Sequence, residues 1–232
     1  MSAEPGGAAP VCQHRVMGGQ DMEEPGSIRD QDKGGRFGSA VVLCGGKSSR
    51  AGFDKQLLTM DGMPIALAIA NRLNAVFSDI ILVTNRPDLY SDPRFTVTED
   101  IIRNVGPLGG LHAGLMSARN DMVFLTACDM PNVCIPYIEW MKRRILEKEP
   151  NCNVAVVKRM NGHTEPFNGF YSRDAIPVIE RAAGRKEYKL TGIYDMLRIF
   201  YVSETDMENF GCTEKLFRNM NWPDEIKPFI SE

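Results

Sequence analysis

Strand-length stretches of almost purely apolar residues alternate with helix-like segments through the middle of this chain, and this alternation is what most restricts the fold. The apolar stretches lie at residues 39–44, 79–84, 121–129 and 153–158. Between the first two, apolar residues recur every three or four positions, the spacing of one helix face, at Ile65, Ile69, Leu73 and Val76. Strands without a polar face are typical of a mostly parallel sheet that helices cover on both faces. We therefore predict an α/β fold with a mostly parallel, twisted sheet.

The remaining elements follow from shorter patterns. A helix is predicted over residues 64–76, and Pro64 suits its first turn. Further helices are predicted at residues 111–118, 135–145, 173–183, 190–197 and 222–229. Further strands are predicted at residues 95–100, 165–172 and 200–203.

The first 37 residues differ in composition from the rest of the chain. Gly, Pro and charged or amide residues dominate there, and such a segment buries too little surface to offset its ordering entropy. We predict a flexible tail over residues 1–37, with a partner-binding arm as the alternative. A single domain over residues 38–232 has an ordinary size for the α/β class.

Composition excludes several classes of protein. The net charge of -3 argues against a dedicated nucleic-acid binder, and no apolar run reaches the roughly 18 residues that a membrane span needs. The 6 cysteines include no C-x-x-C pair, and with 3 histidines no zinc-site spacing appears. The N-terminus lacks the apolar core of a signal peptide. These features predict a cytoplasmic protein with reduced cysteines.

The loop GGKSSRAGFDK at residues 45–55, which follows the first apolar stretch, has the composition of an anion-binding loop. Gly45 and Gly46 allow the backbone to approach a ligand, and successive N–H groups can surround phosphate oxygens. Arg50 can hold a phosphate with two hydrogen bonds, and Lys55 adds a point charge. The loop has neither Walker spacing nor the G-x-G-x-x-G pattern. A solvated, flexible loop is the alternative.

Polar residues also follow other predicted strands, and the ends of parallel strands meet at one edge of a sheet. Asp129 ends a buried stretch, where a carboxylate needs a partner or a hard cation such as Mg²⁺; a helix cap is the alternative. Asp100 is a second candidate acid near the phosphates, or a solvated loop residue. Asn85 can donate and accept hydrogen bonds to a base, or serve a turn. The four glycines within residues 106–115 suggest close backbone contact with a ligand, since helix packing alone could explain Gly114 but hardly Gly109 with Gly110.

Taken together, these segments resemble one family, the MobA-like nucleotidyltransferases. The stretch LCGGKSSRAGFDK resembles the family signature L-A-G-G-x-x-x-R-M-G-x-D-K. The segments VTNRPDLY, GPLGGL, ACDMP, EPFNGFYS and FRNMNWPDEI follow in family order. Within the family, the molybdenum cofactor guanylyltransferases match best.

The resemblance implies a Rossmann-like nucleotidyltransferase domain and a role for each matching residue. It implies Mg²⁺-dependent transfer of GMP from GTP to the phosphate of a molybdopterin-type cofactor, with release of pyrophosphate. Catalysis would involve Lys55, Arg50 and Asp129, with Mg²⁺ on Asp129. Asn219 and Asn221 would contact the acceptor. The nucleotide would be contacted by Leu43, Cys44, Gly45, Gly46, Lys55, Asn85, Asp100 and Asp129.

The sequence departs from the family pattern at three positions. Cys44 stands where alanine is usual, Ala51 where methionine is usual, and Trp222 where threonine is common.

Two alternative functions remain open. A sister enzyme that uses CTP or another phosphorylated acceptor would share the loop. A nucleotide-sensing or scaffolding protein is the second alternative, although Lys55, Asp100 and Asp129 are all retained. Molybdoenzymes or their chaperones are further partners that the resemblance suggests.

Overall fold

The computed structural model describes residues 35–45, 55–60, 62–210 and 213–218. Nine strands lie in this part of the chain: β1 (Ser39–Leu43), β2 (Thr59–Met60), β3 (Met63–Pro64), β4 (Asp79–Val83), β5 (Thr96–Thr98), β6 (Met122–Ala127), β7 (Val154–Lys158), β8 (Thr164–Ser172) and β9 (Ile199–Ser203). Its α-helices are α1 (Ile65–Leu73), α2 (Pro107–Ser117), α3 (Ile135–Lys148), α4 (Ile176–Gly184) and α5 (Thr213–Leu216). Short 3-10 segments occur at Lys55–Leu57, Pro87–Leu89, Arg173–Ala175, Leu190–Met196 and Glu204–Phe210.

Seven strands form one sheet in the order β5-β4-β1-β6-β8-β7-β9. The pairs β5/β4, β4/β1 and β1/β6 are parallel, and so is the pair β7/β9. Strand β8 runs antiparallel between β6 and β7. The predicted mostly parallel α/β sheet is therefore confirmed, whereas the reversed strand inside it was not predicted.

Helices cover both faces of the sheet, as the apolar strands require. Ala40 and Val42 of β1 face a core that includes residues of α1 and α3. Val41 and Leu43 face the opposite core, which includes residues of α2 and α4. Because successive side chains of a strand point to opposite faces, β1 needs apolar residues throughout. No described helix is long and apolar enough to cross a membrane.

The ends of some elements differ from the prediction. Helix α1 begins at Ile65, because Pro64 belongs to the small β2–β3 hairpin and pairs with Thr59. Phe37, predicted as the last residue of the tail, is fully buried and packs edge-to-face on Phe170. Ordered packing therefore begins before residue 38. The predicted helix at residues 222–229 lies outside the described residues.

Helix α2 packs very closely on β1, and its glycines permit this distance. A Cβ atom on Gly110 would lie 2.8 Å from Leu43 Cδ2, and one on Gly114 would lie 2.5 Å from Val41 Cγ2. A Cβ on Gly109 would lie 2.6 Å from the carbonyl oxygen of Ile102. Packing thus accounts for these three glycines, and the predicted ligand contact is not needed to explain them.

A polar network at the opposite edge of the sheet fixes where β1 and β4 begin. The hydroxyl oxygen of Ser39 lies 2.6 Å from Asp79 Oδ2. The same carboxylate accepts hydrogen bonds from the backbone N–H and the guanidinium of Arg119, which follows α2. Because Asp79 is almost completely buried, these partners offset the cost of removing its carboxylate from water.

We predict that Gly114→Ala destabilises the protein by about 1–3 kcal/mol, because the added methyl would overlap both methyl groups of Val41 in a filled core. Urea unfolding followed by circular dichroism measures the change. Gly184→Ala is the matched control, since it lies at the end of α4 with open space around it. The control should be neutral or slightly stabilising. Equal stability of both variants would contradict the close packing of α2 on β1.

Candidate active site

Four residues predicted to bind a nucleotide or metal lie side by side at the carboxyl edge of the sheet. Each stands two positions beyond the last residue of its strand: Asp100 after β5, Asn85 after β4, Gly45 after β1 and Asp129 after β6. The last residues of these strands are direct register partners, Thr98 with Val83, Val83 with Leu43, and Leu43 with Ala127. We call this set the strand-end row.

Hydrogen bonds continue the parallel ladder past the strand ends, which keeps the row in step. The backbone N–H of Cys44 donates to the Val83 carbonyl over 2.8 Å, and that of Cys128 donates to the Leu43 carbonyl over 2.9 Å. The N–H of Thr84 donates to the Thr98 carbonyl over 2.9 Å. With about 4.8 Å between neighbouring strands, the row is about 14 Å long.

Cys44 contributes its backbone to the site, because its side chain belongs to the core. Its thiol is buried in the cluster that faces α1 and α3. Burial raises the pKa of the Cys44 thiol well above its ordinary value, and nearby Cys128 raises it further, while a hydrogen bond with Tyr90 opposes both effects. The thiol is therefore neutral near pH 7 and cannot serve as a nucleophile. Cys44 occupies the position at which the family pattern usually has alanine.

Asn85 is exposed and lies directly beside Gly45. A Cβ on Gly45 would lie 3.3 Å from Asn85 Oδ1, so the glycine leaves room for the asparagine side chain. Gln56 Nε2 donates to Asn85 Oδ1 over 2.9 Å, and the Thr84 hydroxyl donates to Gln56 Oε1. Gln56 was not predicted as a site residue. Its only signal is its position directly after Lys55.

Asp100 forms one end of the row and lies against the first turn of α2. Its carboxyl carbon is 3.7 Å from the position of a Cβ on Gly109. The side chain is half-buried, and this burial raises the pKa of the carboxyl group above its ordinary value. The carboxyl group is thus partly desolvated, and it lies at the opposite end of the row from Asp129 rather than near the predicted phosphate site.

Asp129 forms the other end of the row and is the residue that fits a divalent cation. Its carboxylate is half-buried and follows Cys128, whose thiol donates to the carbonyl oxygen of Cys44 over 3.2 Å. Within residues 35–45, 55–60, 62–210 and 213–218, no three His, Cys, Asp or Glu side chains lie close enough to hold an ion. A hard cation held by one carboxylate and completed by substrate phosphates suits this arrangement.

The segment that leads to the predicted acceptor residues is held beside the row. Asn168 is 2 % exposed, and its Nδ2 donates to the Leu216 carbonyl over 2.8 Å. Its Oδ1 accepts from Thr126 of β6, and its backbone has a left-handed φ of 53°. Asn132 donates to the Lys215 carbonyl over 3.0 Å. Asn168 was not predicted, although asparagine is one of the few residues that tolerate this conformation.

Five predicted site residues lie wholly or partly outside the described part of the chain. Gly46, Arg50, Asn219 and Asn221 lie outside the described residues, and only the backbone of Lys55 is described, at the start of the 3-10 turn Lys55–Leu57. Their roles stay predictions. The structure does bring together Asp100, Asn85, Gly45 and Asp129, with Leu43 and Cys44 directly before the loop.

Known proteins share both the sequence pattern and the fold. The sequence model of one protein family, the MobA-like NTP transferase domain, matches residues 40–199 of this chain. A molybdenum cofactor guanylyltransferase of Syntrophotalea carbinolica is 42% identical over 192 residues, which is 83% of this chain and 90% of that protein. A probable molybdenum cofactor guanylyltransferase of Peptoclostridium acidaminophilum is 37% identical over 196 residues, 83% of this chain and 88% of that protein.

A solved structure supports the fold independently. The crystal structure of molybdopterin-guanine dinucleotide biosynthesis protein A from Archaeoglobus fulgidus superposes with a TM-score of 0.70 at 22% identity. The match covers 83% of this chain and 96% of that one. The predicted resemblance and the nucleotidyltransferase class are thus confirmed, and the chain belongs to the MobA-like NTP transferase family.

Proposed function

We propose that this protein transfers GMP from GTP to the phosphate of a molybdopterin-type cofactor and releases pyrophosphate. Relatives that match most of the chain are named molybdenum cofactor guanylyltransferases. The observation that carries the proposal is the strand-end row, in which four predicted site residues stand in one line: Asp129, Gly45, Asn85 and Asp100. This arrangement suits a ligand with phosphates at one end and a base at the other.

The row gives the nucleotide a direction. The phosphates belong at the Asp129 end, because this carboxylate would hold the divalent ion that accompanies them. Asn85 and Asp100 lie on the other side of Gly45, over β4 and β5, and are left for the nucleoside. The loop cations hold the triphosphate locally, which a chain of net charge -3 requires.

The chemistry of the nucleoside end favours guanine. The amide of Asn85 can donate to the O6 acceptor of guanine, and a carboxylate at Asp100 can accept from its N2 amino group. Guanine has two adjacent donors on its pairing edge, N1–H and the N2 amino group, whereas cytosine has one donor and is smaller, so a carboxylate beside an amide fits cytosine less well. The alternative of a sister enzyme that uses CTP depends on this difference.

The transfer requires little from the protein except positioning and charge neutralisation. An oxygen of the acceptor phosphate bonds to the α-phosphorus of GTP, while the bond from that phosphorus to the leaving pyrophosphate breaks. The attacking phosphate is already anionic, so no strong general base is needed. The neutral Cys44 thiol excludes a covalent cysteine intermediate at this position. Arg50 and Lys55 offset the negative charge that develops in the transition state.

A divalent metal ion completes the proposed site. Nucleotidyltransferases of this kind generally depend on one. The half-buried carboxylate of Asp129 would hold Mg²⁺. When bound, the ion supplies charge neutralisation at the phosphoryl oxygens.

The acceptor is proposed to lie on the β6 side of the row. Asn168 and Asn132 hold the backbone of residues 215–216 next to the β6 end of the sheet. Asn219 and Asn221 follow within a few residues and are proposed to contact the pterin. The cytoplasmic location, and molybdoenzymes or their chaperones as partners, stay predictions.

We predict that GTP with Mg²⁺ raises the melting temperature more than CTP, ATP or UTP. A ligand at about 100 times its Kd adds about 2.7 kcal/mol of stability, which corresponds to roughly 5–10 °C for a chain of this size. A thermal-shift series at equal concentrations measures the effect, with guanosine as the control without phosphates. A larger shift with CTP would favour the sister enzyme. The absence of any nucleotide-dependent shift would favour the scaffolding protein.

We predict that Asp129→Asn lowers the rate of pyrophosphate release about 100-fold or more at saturating Mg²⁺, because neutralising this end of the row removes the ligand of the ion. GTP binding should weaken much less. Asp121→Asn is the matched control, since Asp121 is exposed and precedes β6 at the opposite edge of the sheet. An unchanged rate of pyrophosphate release in Asp129→Asn would contradict the assignment.

A further inference from the structure

Gln56 is a buried amide that contacts the strand-end row without belonging to it. Its side chain is 4 % exposed, and it lies in the 3-10 turn Lys55–Leu57 at the end of the phosphate-binding loop. Its partners Thr84 and Asn85 lie at the end of β4. Asn85 is exposed, so its side chain would rotate readily without such a contact.

The hydrogen bonds of this contact form one chain that begins at a backbone donor. The N–H of Arg86 donates to the Thr84 hydroxyl oxygen over 2.9 Å. The Thr84 hydroxyl directs its own hydrogen to Gln56 Oε1, which leaves Gln56 Nε2 to donate to Asn85. Asn85 must therefore turn its Oδ1 toward Gln56.

We propose that Gln56 is a positioning residue that holds the Asn85 amide with its NH₂ group toward the nucleotide. The strand-end row then presents a hydrogen-bond donor at this point and selects bases with a carbonyl oxygen at position 6 over bases with an amino group there. This inference rests on the proposed nucleotide-binding function and deepens it, because it names what sets one part of base selectivity.

The burial of Gln56 is what makes the selection effective. An exposed asparagine presents its oxygen or its NH₂ group at little cost, since the two orientations differ by a half-turn of one torsion. Here the reversed orientation would place two NH₂ groups against each other and leave a buried donor of Gln56 without an acceptor. A 6-amino base would face the same conflict with the Asn85 NH₂ group.

The variant Gln56→Glu reverses the preference that the proposal assigns. A carboxylate has nearly the shape of the amide but only accepts hydrogen bonds. It still accepts from Thr84, and it accepts from the Asn85 NH₂ group, so Asn85 turns its oxygen toward the nucleotide. We expect the ratio of Kd for ATP to Kd for inosine triphosphate to fall about tenfold, the scale of one well-placed base contact.

These two nucleotides isolate the contact, because their bases differ only at position 6 and in the N1 proton that accompanies it. Isothermal titration with Mg²⁺ measures both dissociation constants for the wild type and the variant. The new charge weakens both triphosphates alike and cancels in the ratio. In an Asn85→Ala background, Gln56→Glu should leave the ratio unchanged, since the effect acts through Asn85.

An unchanged ratio in Gln56→Glu, or an equal change in the Asn85→Ala background, would show that Gln56 is only structural. If Gln56→Glu fails to fold, Thr84→Val replaces it, since it removes the hydroxyl that orients Gln56. It should lower the same ratio by a smaller factor, and an unchanged ratio would overturn the proposal. If the wild type binds GTP but the variant has the same ratio of Kd values as the wild type, only the positioning role is rejected. Wild-type protein that binds no nucleotide rejects the proposed function as well.

Discussion

The common register of four parallel strands is the constraint on which the site depends. Strands β5, β4, β1 and β6 end in step, and hydrogen bonds continue their ladder by one residue beyond each of the three pairings. A slip of one residue would exchange the two faces of a strand and move its functional residue out of line. Two features that lie away from the strand-end row hold the strands in this register. The glycines of α2 let the helix press on β1, and the buried Asp79 network ties the strand beginnings together.

Function is distributed along this row rather than concentrated in one reactive side chain. In the proposed function, Asp129 and the glycine loop would contact the phosphates, whereas Asn85 and Asp100 would contact the base. The residues beneath the row are neutral and buried, as the thiol of Cys44 illustrates, so they shape the cleft without taking part in the reaction. Gln56 differs from the other buried residues beneath the row, because its amide orients the exposed amide of Asn85. In the proposed function, base selectivity thus depends on Gln56 beneath the row, whereas catalysis depends on Asp129 and the glycine loop.

Much of this arrangement could be predicted from the sequence, for physical reasons that also explain the failures. Continuous apolar stretches identified β1, β4, β6 and β7, and apolar periodicity identified α1 and α3, because burial demands these patterns. The short β2–β3 hairpin carries no such pattern and was missed. The convergence of Asn85, Gly45 and Asp129 followed from parallel pairing. The reversed strand β8 could not be predicted, since the residues of a strand do not show in which direction it runs relative to its neighbours. Gln56 and Asn168 were missed because partners distant in sequence determine their burial and hydrogen bonds. The glycines of α2 suggested a ligand, but they serve helix packing.

The most direct test of the account follows the α-phosphate of GTP. The full chain is incubated with Mg²⁺, a molybdopterin-type acceptor and GTP labelled at the α-phosphorus, and the products are separated and counted. The account predicts that the label enters the pterin product in an amount equal to the pyrophosphate released. Release of free labelled GMP without entry into the acceptor, or label that stays in GTP while the acceptor is present, would contradict it.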